Sequence, residues 1–220
     1  MQKGLILPIF PTVITMNKMD RDFTEQEMTC LMSFKDKLRD SYPNTLDIYI
    51  LENEPLNKIK QMCERVLNEY LLEINKPINP NDISLKITHS WLNFTKKDQY
   101  HPPHTHHNSI LCGVLYVNAN KEKDTIRFTK SETGENWQIQ TNNVSNIFSS
   151  NTFELSVGTG DIVIFPSNLT HSVPLIEDET RLSLAFNSFY SGNIGFTEGP
   201  LKGVNFVKID LPNQKQHKPL

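Results

Sequence analysis

A run of histidines in the middle of the chain is the strongest chemical signal in the sequence. His101, His104, His106 and His107 fall within the seven residues HPPHTHH. His104 and His106 are separated by one residue, and in an extended segment such side chains point to the same side. Two imidazoles at the end of a strand can therefore bind one metal ion. His101 and His107 lie off that spacing, so we expect them behind the ligands or in solvent; an exposed histidine-rich loop is the alternative.

A third imidazole and an arginine follow further along the chain. His171 comes after a turn, a short strand and a bend in GDIVIFPSNLTHSVP, which predicts a position at the rim of a β-barrel. In RLSLAFN, Arg181, Ser183 and Asn187 share one strand face. An inward arginine needs an anion, its planar fork suits a carboxylate, and Ser183 can add a hydroxyl donor. The alternative is a structural salt bridge from Arg181 to one nearby carboxylate, that of Glu177, Asp178 or Glu179.

Residues on both sides of the arginine in the sequence add candidates for the same cavity. Tyr116 lies on the apolar run 110–117 after the histidine cluster, and it either packs in the core or reaches the same anion. Four further side chains either line a substrate mouth or serve the structure alone: Trp91, Asn93, Gln99 and Asn187.

The residue pattern changes along the chain and divides it into the parts that must position these groups. Residues 1–80 contain helical patterns, residues 83–190 are rich in short strands, and residues 191–220 form a C-terminal extension of a single domain. The pattern predicts a mainly β, α+β fold, a sandwich or jelly roll whose N-terminal helices cover one face.

Two helices are predicted in the first part. Thr24 and Glu27 have the spacing of a capping box, and apolar residues follow at helical intervals until Pro43. A second helix is capped by Asn53 with Pro55 in its first turn. Its apolar stripe predicts a face packed on a sheet: Leu56, Ile59, Cys63, Val66, Leu67, Tyr70 and Ile74.

From Ile83 the apolar period becomes two, with alternate residues to Trp91 on one face. Further strands are predicted at 110–117, 124–129, 152–157, 161–165 and 181–189. Residues 137–140 are predicted to form a hairpin with 124–129 around a turn at 132–135.

Composition limits the function classes. Lys and Arg number 22 against 25 Asp and Glu, which argues against a general nucleic-acid binder. No stretch approaches the roughly 18 apolar residues of a membrane span. Pro8 and Pro11 interrupt the apolar opening run, which is predicted to be a first core strand and not a signal peptide. Three cysteines without a CxxC motif predict reduced thiols in the cytoplasm, the host's if the chain is phage-encoded. A homodimer through the helices or the C-terminal segment is an open expectation.

Together these segments resemble a known enzyme family. Three segments are similar to the Fe(II)/2-oxoglutarate-dependent oxygenases, most of all to a branch found in phages and marine bacteria: SWLNF, HPPHTHHNSILCGVLYV and GDIVIFPSNLTHSVPLIEDETRLSLAFN. The opening of this chain, LILPIFPT, also resembles the start of that branch. The resemblance implies a double-stranded β-helix, a jelly-roll barrel of the cupin kind. It implies that His104 and His171 bind iron, and that Arg181 and Ser183 hold 2-oxoglutarate. It also implies oxidative decarboxylation of 2-oxoglutarate by O2, coupled to hydroxylation of an unknown second substrate, with ascorbate as reductant; an amino-acid side chain, a free small molecule or a nucleobase would all fit.

One departure from the wider superfamily concerns the third metal ligand. His106 stands where that superfamily has Asp or Glu, which leaves Fe(II) with its full 2+ charge. The pattern is then also similar to three-histidine dioxygenases of the cupin type, which need no cosubstrate. A non-catalytic jelly-roll protein that binds a metal or a partner is the alternative from another class.

Overall fold

The structure, a computed structural model, describes the chain except residues 1–4, 6, 8, 41, 131–149, 178–179, 197–198, 205 and 212–220. Two α-helices are α1 (Glu25–Met32) and α2 (Asn57–Tyr70), with short 3-10 turns at Ile50–Glu52 and Glu54–Leu56 and a π-helical turn at Leu71–Asn75. The strands are β1 (Thr15–Lys18), β2 (Leu38–Arg39), β3 (Tyr42–Thr45), β4 (Ile83–Lys96), β5 (His101–His104), β6 (Leu111–Asn118), β7 (Thr125–Thr129), β8 (Thr152–Ser156), β9 (Asp161–Pro166), β10 (Thr170–Val173), β11 (Thr180–Ile194) and β12 (Val207–Ile209).

Helix α1 begins as predicted and ends early. The Thr24 side chain accepts from the Glu27 amide and the Glu27 carboxylate accepts from the Thr24 amide, so the capping box is confirmed. The expectation of a helix as far as Pro43 was wrong. The Ser33 hydroxyl donates to the Cys30 carbonyl at 2.7 Å, a bond that competes with continued helix. The chain then forms the β2–β3 hairpin.

Helix α2 buries the predicted apolar face. Cys63 and Leu67 are fully buried against the sheet, while Ile74, in the π-helical turn, is exposed. Asn53 does not cap α2, because its side chain donates to the Ile50 carbonyl at 2.8 Å, and Leu56 is the N-cap residue.

The first strand starts later than predicted. Leu5, Leu7, Ile9 and Phe10 are exposed, and pairing begins only at Thr15, where β1 joins β9. The opening run therefore does not enter the core as a strand. The other predicted strands form β4, β6, β7, β8, β9 and β11 within a few residues. The predicted hairpin strand at 137–140 lies outside the described residues.

Two antiparallel sheets face each other. The larger has the order β1-β9-β6-β11-β4-β3-β2, with β12 paired to the far end of β11, and the smaller has the order β5-β10-β7-β8. This is the arrangement of a double-stranded β-helix, as expected.

Each face of the larger sheet has its own core. Leu182, Leu184 and Phe186 of β11 pack towards the helices in one cluster. Tyr116 and Ala185 belong to a second cluster inside the barrel. Since the two faces of a strand alternate, Arg181, Ser183 and Asn187 lie on the barrel side with Ala185, as the sequence predicted.

A bulge in β4 corrects one expectation. Asn187 pairs with His89 but Ser188 pairs with Ile87, so Thr88 is an extra residue. An extra residue reverses the alternation of faces. Ile87 therefore packs towards the helices, and Trp91 packs inside the barrel. The predicted single face from Ile83 to Trp91 was wrong. The bulge turns the second half of β4 towards the cavity.

Candidate metal centre

Three histidines converge at one end of the barrel. One ring nitrogen from each of His104, His106 and His171 lies within 4.8 Å of the other two. His104 ends β5 and is paired directly with His171 on β10. His106 lies in the loop after β5, and its amide donates to the Ser167 carbonyl at 2.9 Å. The predicted convergence of these three side chains is what the structure contains.

Hydrogen bonds set which nitrogen of each ring is free. Nδ1 of His104 lies 2.9 Å from the Pro102 carbonyl, and Nδ1 of His171 lies 3.1 Å from the Leu169 carbonyl. A carbonyl accepts only, so each Nδ1 carries the proton and each Nε2 keeps its lone pair. The backbone thus prepares two rings for metal binding through Nε2.

His106 is oriented by side chains instead. Its Nδ1 lies 2.6 Å from Oδ1 of Asn187 and 3.2 Å from Sγ of Cys112. The Cys112 thiol also lies 3.3 Å from the same Oδ1. The indole of Trp91 covers the ring, with the two centroids 5.5 Å apart. Asn187, one of the candidates for the substrate mouth, is therefore a direct neighbour of the third histidine.

Burial keeps His171, His106 and Cys112 in their neutral forms. Desolvation lowers the pKa of His171 to about 3 and also lowers the pKa of His106. Desolvation raises the pKa of Cys112 to about 12, so it is present as a thiol. Neutral imidazoles are the form that binds a metal ion.

The two remaining histidines of the cluster are not members of the set of three. The ring of His101 packs at a tilt against His104 with centroids 4.3 Å apart, and its Nδ1 faces the Pro102 carbonyl at 3.3 Å. His107 is exposed. Both fit the expectation that they do not complete the site.

Arg181 is buried inside the same barrel with little to neutralise it. The residue is 3% exposed. One nitrogen donates to the Thr125 carbonyl at 3.3 Å, and Nε has no partner. Its guanidinium carbon lies 5.0 Å from the centre of the Tyr116 ring. The alternative salt bridge is absent among the described residues; Glu177 is exposed, and Asp178 and Glu179 lie outside the described part.

Tyr116 and Ser183 complete the surroundings of this guanidinium. They are directly paired across β6 and β11, so their side chains lie on the same face. The Tyr116 hydroxyl is buried without a hydrogen bond. Burial raises the pKa of this phenol, against the effect of the nearby guanidinium. A cation, a hydroxyl and a phenol thus surround one point in a water-poor interior.

The donor set fits the groups that the sequence resemblance implies. Three imidazoles suit iron, nickel, zinc or copper. A buried cation with a free Nε, beside an unbonded phenol, suits a carboxylate. Sequence reasoning missed Cys112, since it lies in a continuous apolar run, and it missed the direct role of Asn187 at His106. The i, i+6 pairing of His106 with Cys112 offers no recognisable motif.

Residues 89–187, a little under half of the chain, match the family described as "Putative 2OG-Fe(II) oxygenase". The matched range contains all three histidines of the centre and Arg181. No curated protein sequence matches the chain.

Solved structures with the same fold include apo HygX from Streptomyces hygroscopicus, 15% identical, with a TM-score of 0.53 over 90% of this chain and 93% of that one. HygX with nickel, 2-oxoglutarate and hygromycin B is 14% identical, with a TM-score of 0.50 over 80% and 82%. A 2OG-Fe(II) oxygenase family oxidoreductase from Burkholderia pseudomallei is 9% identical, with a TM-score of 0.50 over 80% and 84%. At these identities the likeness establishes the double-stranded β-helix.

None of the helices in the described residues has the length and apolar character required to cross a bilayer.

Proposed function

We propose that this chain is an Fe(II)- and 2-oxoglutarate-dependent hydroxylase of a small molecule, a proposal supported by the match of residues 89–187 to the family described as "Putative 2OG-Fe(II) oxygenase". Fe(II) is held by His104, His106 and His171. The distal carboxylate of 2-oxoglutarate is held by Arg181. HygX, which shares the fold, binds nickel, 2-oxoglutarate and hygromycin B, and this supports a small-molecule substrate.

The three histidines give the metal a neutral set of ligands on one side. Their Nδ1 atoms are occupied by two carbonyls and one amide oxygen, so each ring has one orientation and one free nitrogen. No carboxylate belongs to the set of three. A dianionic cosubstrate is therefore attracted by the full 2+ charge of the ion.

Arg181 sets the direction in which the cosubstrate lies. Its free Nε and second terminal nitrogen form a fork for one carboxylate, and Ser183 lies on the same face of β11. The Tyr116 hydroxyl can donate to that carboxylate as well. Arg181 is 3% exposed, and burial strengthens the attraction between the guanidinium and a carboxylate.

When bound, iron supplies the activation of O2 that decarboxylates 2-oxoglutarate to succinate and hydroxylates the second substrate. The protein orients both ligands and keeps water out. Trp91, packed on His106, forms one wall beside the ion.

One observation carries the proposal: a buried guanidinium without a carboxylate partner among the described residues lies in the same barrel as three converging imidazoles. A structural arginine would have a carboxylate partner. A metal site that needs no cosubstrate would have no use for a buried cation.

Succinate release tests the proposal. Purified chain with Fe(II), ascorbate, O2 and labelled 2-oxoglutarate is expected to release succinate slowly without any further substrate. His171→Ala is expected to abolish this release, and Asn17→Leu, on the distant strand β1, should leave it unchanged. Oxygen uptake that is indifferent to 2-oxoglutarate would instead identify the cupin-type activity. Metal binding without turnover would identify a non-catalytic protein.

A further inference from the structure

The buried polar atoms that lack a partner form a pattern. In the described part of the chain they are Oδ1 of Asn44, Oδ1 of Asn93, the Tyr116 hydroxyl and Nε of Arg181. Each such atom costs about 1–3 kcal/mol when left unbonded. The last two belong to the cosubstrate pocket proposed above. The two asparagines have no part in it so far.

The asparagines lie in one line with that pocket. Tyr116 on β6 pairs with Ser183 on β11, Ser183 pairs with Asn93 on β4, and Asn93 pairs with Asn44 on β3. Directly opposed residues point to the same side of a sheet. The row therefore crosses four strands on the inner face of the barrel, and Asn44 lies about 10 Å from Ser183, two strand spacings away.

This row leaves the path of the cosubstrate. A molecule that joins Arg181 to the metal runs along β11, towards Asn187 and His106. The row runs across the strands, towards the outer strand β3. Asn44 is therefore out of reach of a ligand held between the guanidinium and the ion.

Aromatic side chains connect the row to the metal centre. Trp91 lies two residues before Asn93 on the same face of β4 and packs on His106. His89, two residues earlier, stacks on Tyr49 with centroids 5.6 Å apart. The indole of Trp91 therefore lies beside His106 and, two residues along the strand, beside Asn93, with the His89–Tyr49 pair on its other side.

On these contacts, and resting on the function proposed above, we propose that Asn44, Asn93 and Trp91 form the subsite for the second substrate, a neutral, hydroxyl-bearing ring compound of the sugar type. Its hydroxyls donate to the two amide oxygens, and its C–H face lies on the indole.

The chemistry of the subsite selects this class. The two amide oxygens without a partner can each accept from an O–H donor, which a hydroxyl-bearing ring supplies. A cationic amine would lie near Arg181, and the subsite residues offer no carboxylate to offset it. Burial lowers the pKa of His89, which leaves that ring neutral too. Flat aromatic surfaces with a few placed polar groups are typical of small-molecule sites.

Fluorescence of Trp91 provides the test. Trp137→Phe removes the other tryptophan, and the protein is loaded with Ni(II) and 2-oxoglutarate so that no turnover occurs. The probe is methyl α-D-glucopyranoside, titrated with and without 2-oxoglutarate. We expect saturable quenching, weakened at least fivefold by Asn93→Leu and by Asn44→Leu. Asn17→Leu, a half-buried asparagine at the opposite edge of the same sheet, is the matched control and should match the parent.

Two further readouts separate the subsite from a structural role and from the cosubstrate pocket. Asn93→Leu removes an unbonded buried atom, so its Tm should be unchanged or higher while probe binding falls. The Kd for 2-oxoglutarate should stay within twofold of the parent in both leucine variants.

Several results would overturn the inference. These are no quenching by the glucoside, equal quenching by glucuronate or glucosamine, or unchanged probe binding in both variants. A weaker Kd for 2-oxoglutarate in Asn93→Leu would assign that amide to the cosubstrate. A parent protein that binds the glucoside but not 2-oxoglutarate would overturn the proposed function and leave the subsite standing.

Discussion

Two buried charges in the larger sheet have opposite surroundings. Asp161 is 4% exposed and Arg181 is 3% exposed. The Asp161 carboxylate accepts from Lys18 at 3.0 Å, from Lys121 at 2.8 Å and from the Gly158 amide at 2.8 Å. Arg181 has one 3.3 Å bond to a backbone carbonyl, an aromatic ring beside it and no described carboxylate.

The difference separates a structural charge from a binding charge. Removing a charge from water is expensive unless its partners replace the lost hydration. Asp161 has such partners within the chain, and it fastens β9 to β1 and to the loop after β6. Arg181 has only some of the partners that would replace its hydration, so part of its desolvation free energy is uncompensated until a ligand carboxylate binds. Burial alone would have ranked the two residues as equals.

The largest expected effect is on cosubstrate binding. Arg181→Met keeps the length of the side chain and removes the fork, so the Kd for 2-oxoglutarate should rise by the equivalent of about 2–4 kcal/mol. Because the guanidinium has no carboxylate partner among the residues that the structure describes, the Tm should not fall. Calorimetric titration of the Ni(II)-loaded protein and a thermal melt measure the two quantities. A large loss of stability with unchanged binding would show that Arg181 is a structural charge, as Asp161 is.

Asp161→Asn should show the reverse. Loss of the charge weakens two lysine contacts and the bond from Gly158, so the free energy of unfolding should fall by about 1–3 kcal/mol. The Kd for 2-oxoglutarate should not change. Denaturant unfolding gives the first value and the same titration gives the second. Weaker cosubstrate binding in this variant would show that the corner around Asp161 and the pocket are coupled.

The same carboxylate predicts a dependence on pH. Burial acts to raise the pKa of Asp161, but the bonds from Lys121, Gly158 and Lys18 outweigh it, and the pKa is lowered. A carboxyl with a lowered folded pKa contributes stability above its unfolded pKa and loses it as the pH falls through the folded pKa. The stability gap between the parent and Asp161→Asn should therefore narrow in acid, as unfolding midpoints at pH 7 and below pH 4 would show. A constant gap would mean that the carboxylate charge is not what stabilises the corner.

Asn187 is an intermediate case between Asp161 and Arg181. Its side chain has a hydrogen-bond partner within the chain, and that partner is a histidine of the metal centre. Asn187→Leu removes the acceptor that holds Nδ1 of His106. Such partners are typically worth about 10–100-fold in metal affinity, and we expect a loss in that range for Ni(II). The nitrogen shifts of His106 in the metal-free protein report the tautomer directly and should become mixed. Unchanged shifts would mean that Cys112 alone fixes the ring.

The sequence was informative where a function depends on local spacing. The alternation of side chains along a strand predicted that His104 and His106 point to the same side. It also predicted the face that Arg181 lies on, and the turn and strand before His171 predicted its place at the rim of the barrel. What could not be predicted depends on pairing between distant segments. Asn44 directly follows Pro43, where the predicted first helix ends, and only its register with Asn93, 49 residues away, brings it into the barrel. The bulge at Thr88 likewise has no signature in its own residues.

The smallest predicted effect concerns the Tyr116 hydroxyl, which is buried and unbonded like Nε of Arg181. Tyr116→Phe keeps the ring 5.0 Å from the guanidinium and removes only the oxygen. If the hydroxyl donates to the cosubstrate, its loss should weaken the Kd for 2-oxoglutarate about 2–10-fold, the value of one hydrogen bond. Since the hydroxyl has no hydrogen-bond partner among the described residues, the Tm should hold or rise. A thermal melt and the calorimetric titration measure both. A falling Tm with unchanged binding would show that the contacts of Tyr116, like those of Asp161, stabilise the fold. Arg181 and Ser183 would then bind the carboxylate without the phenol.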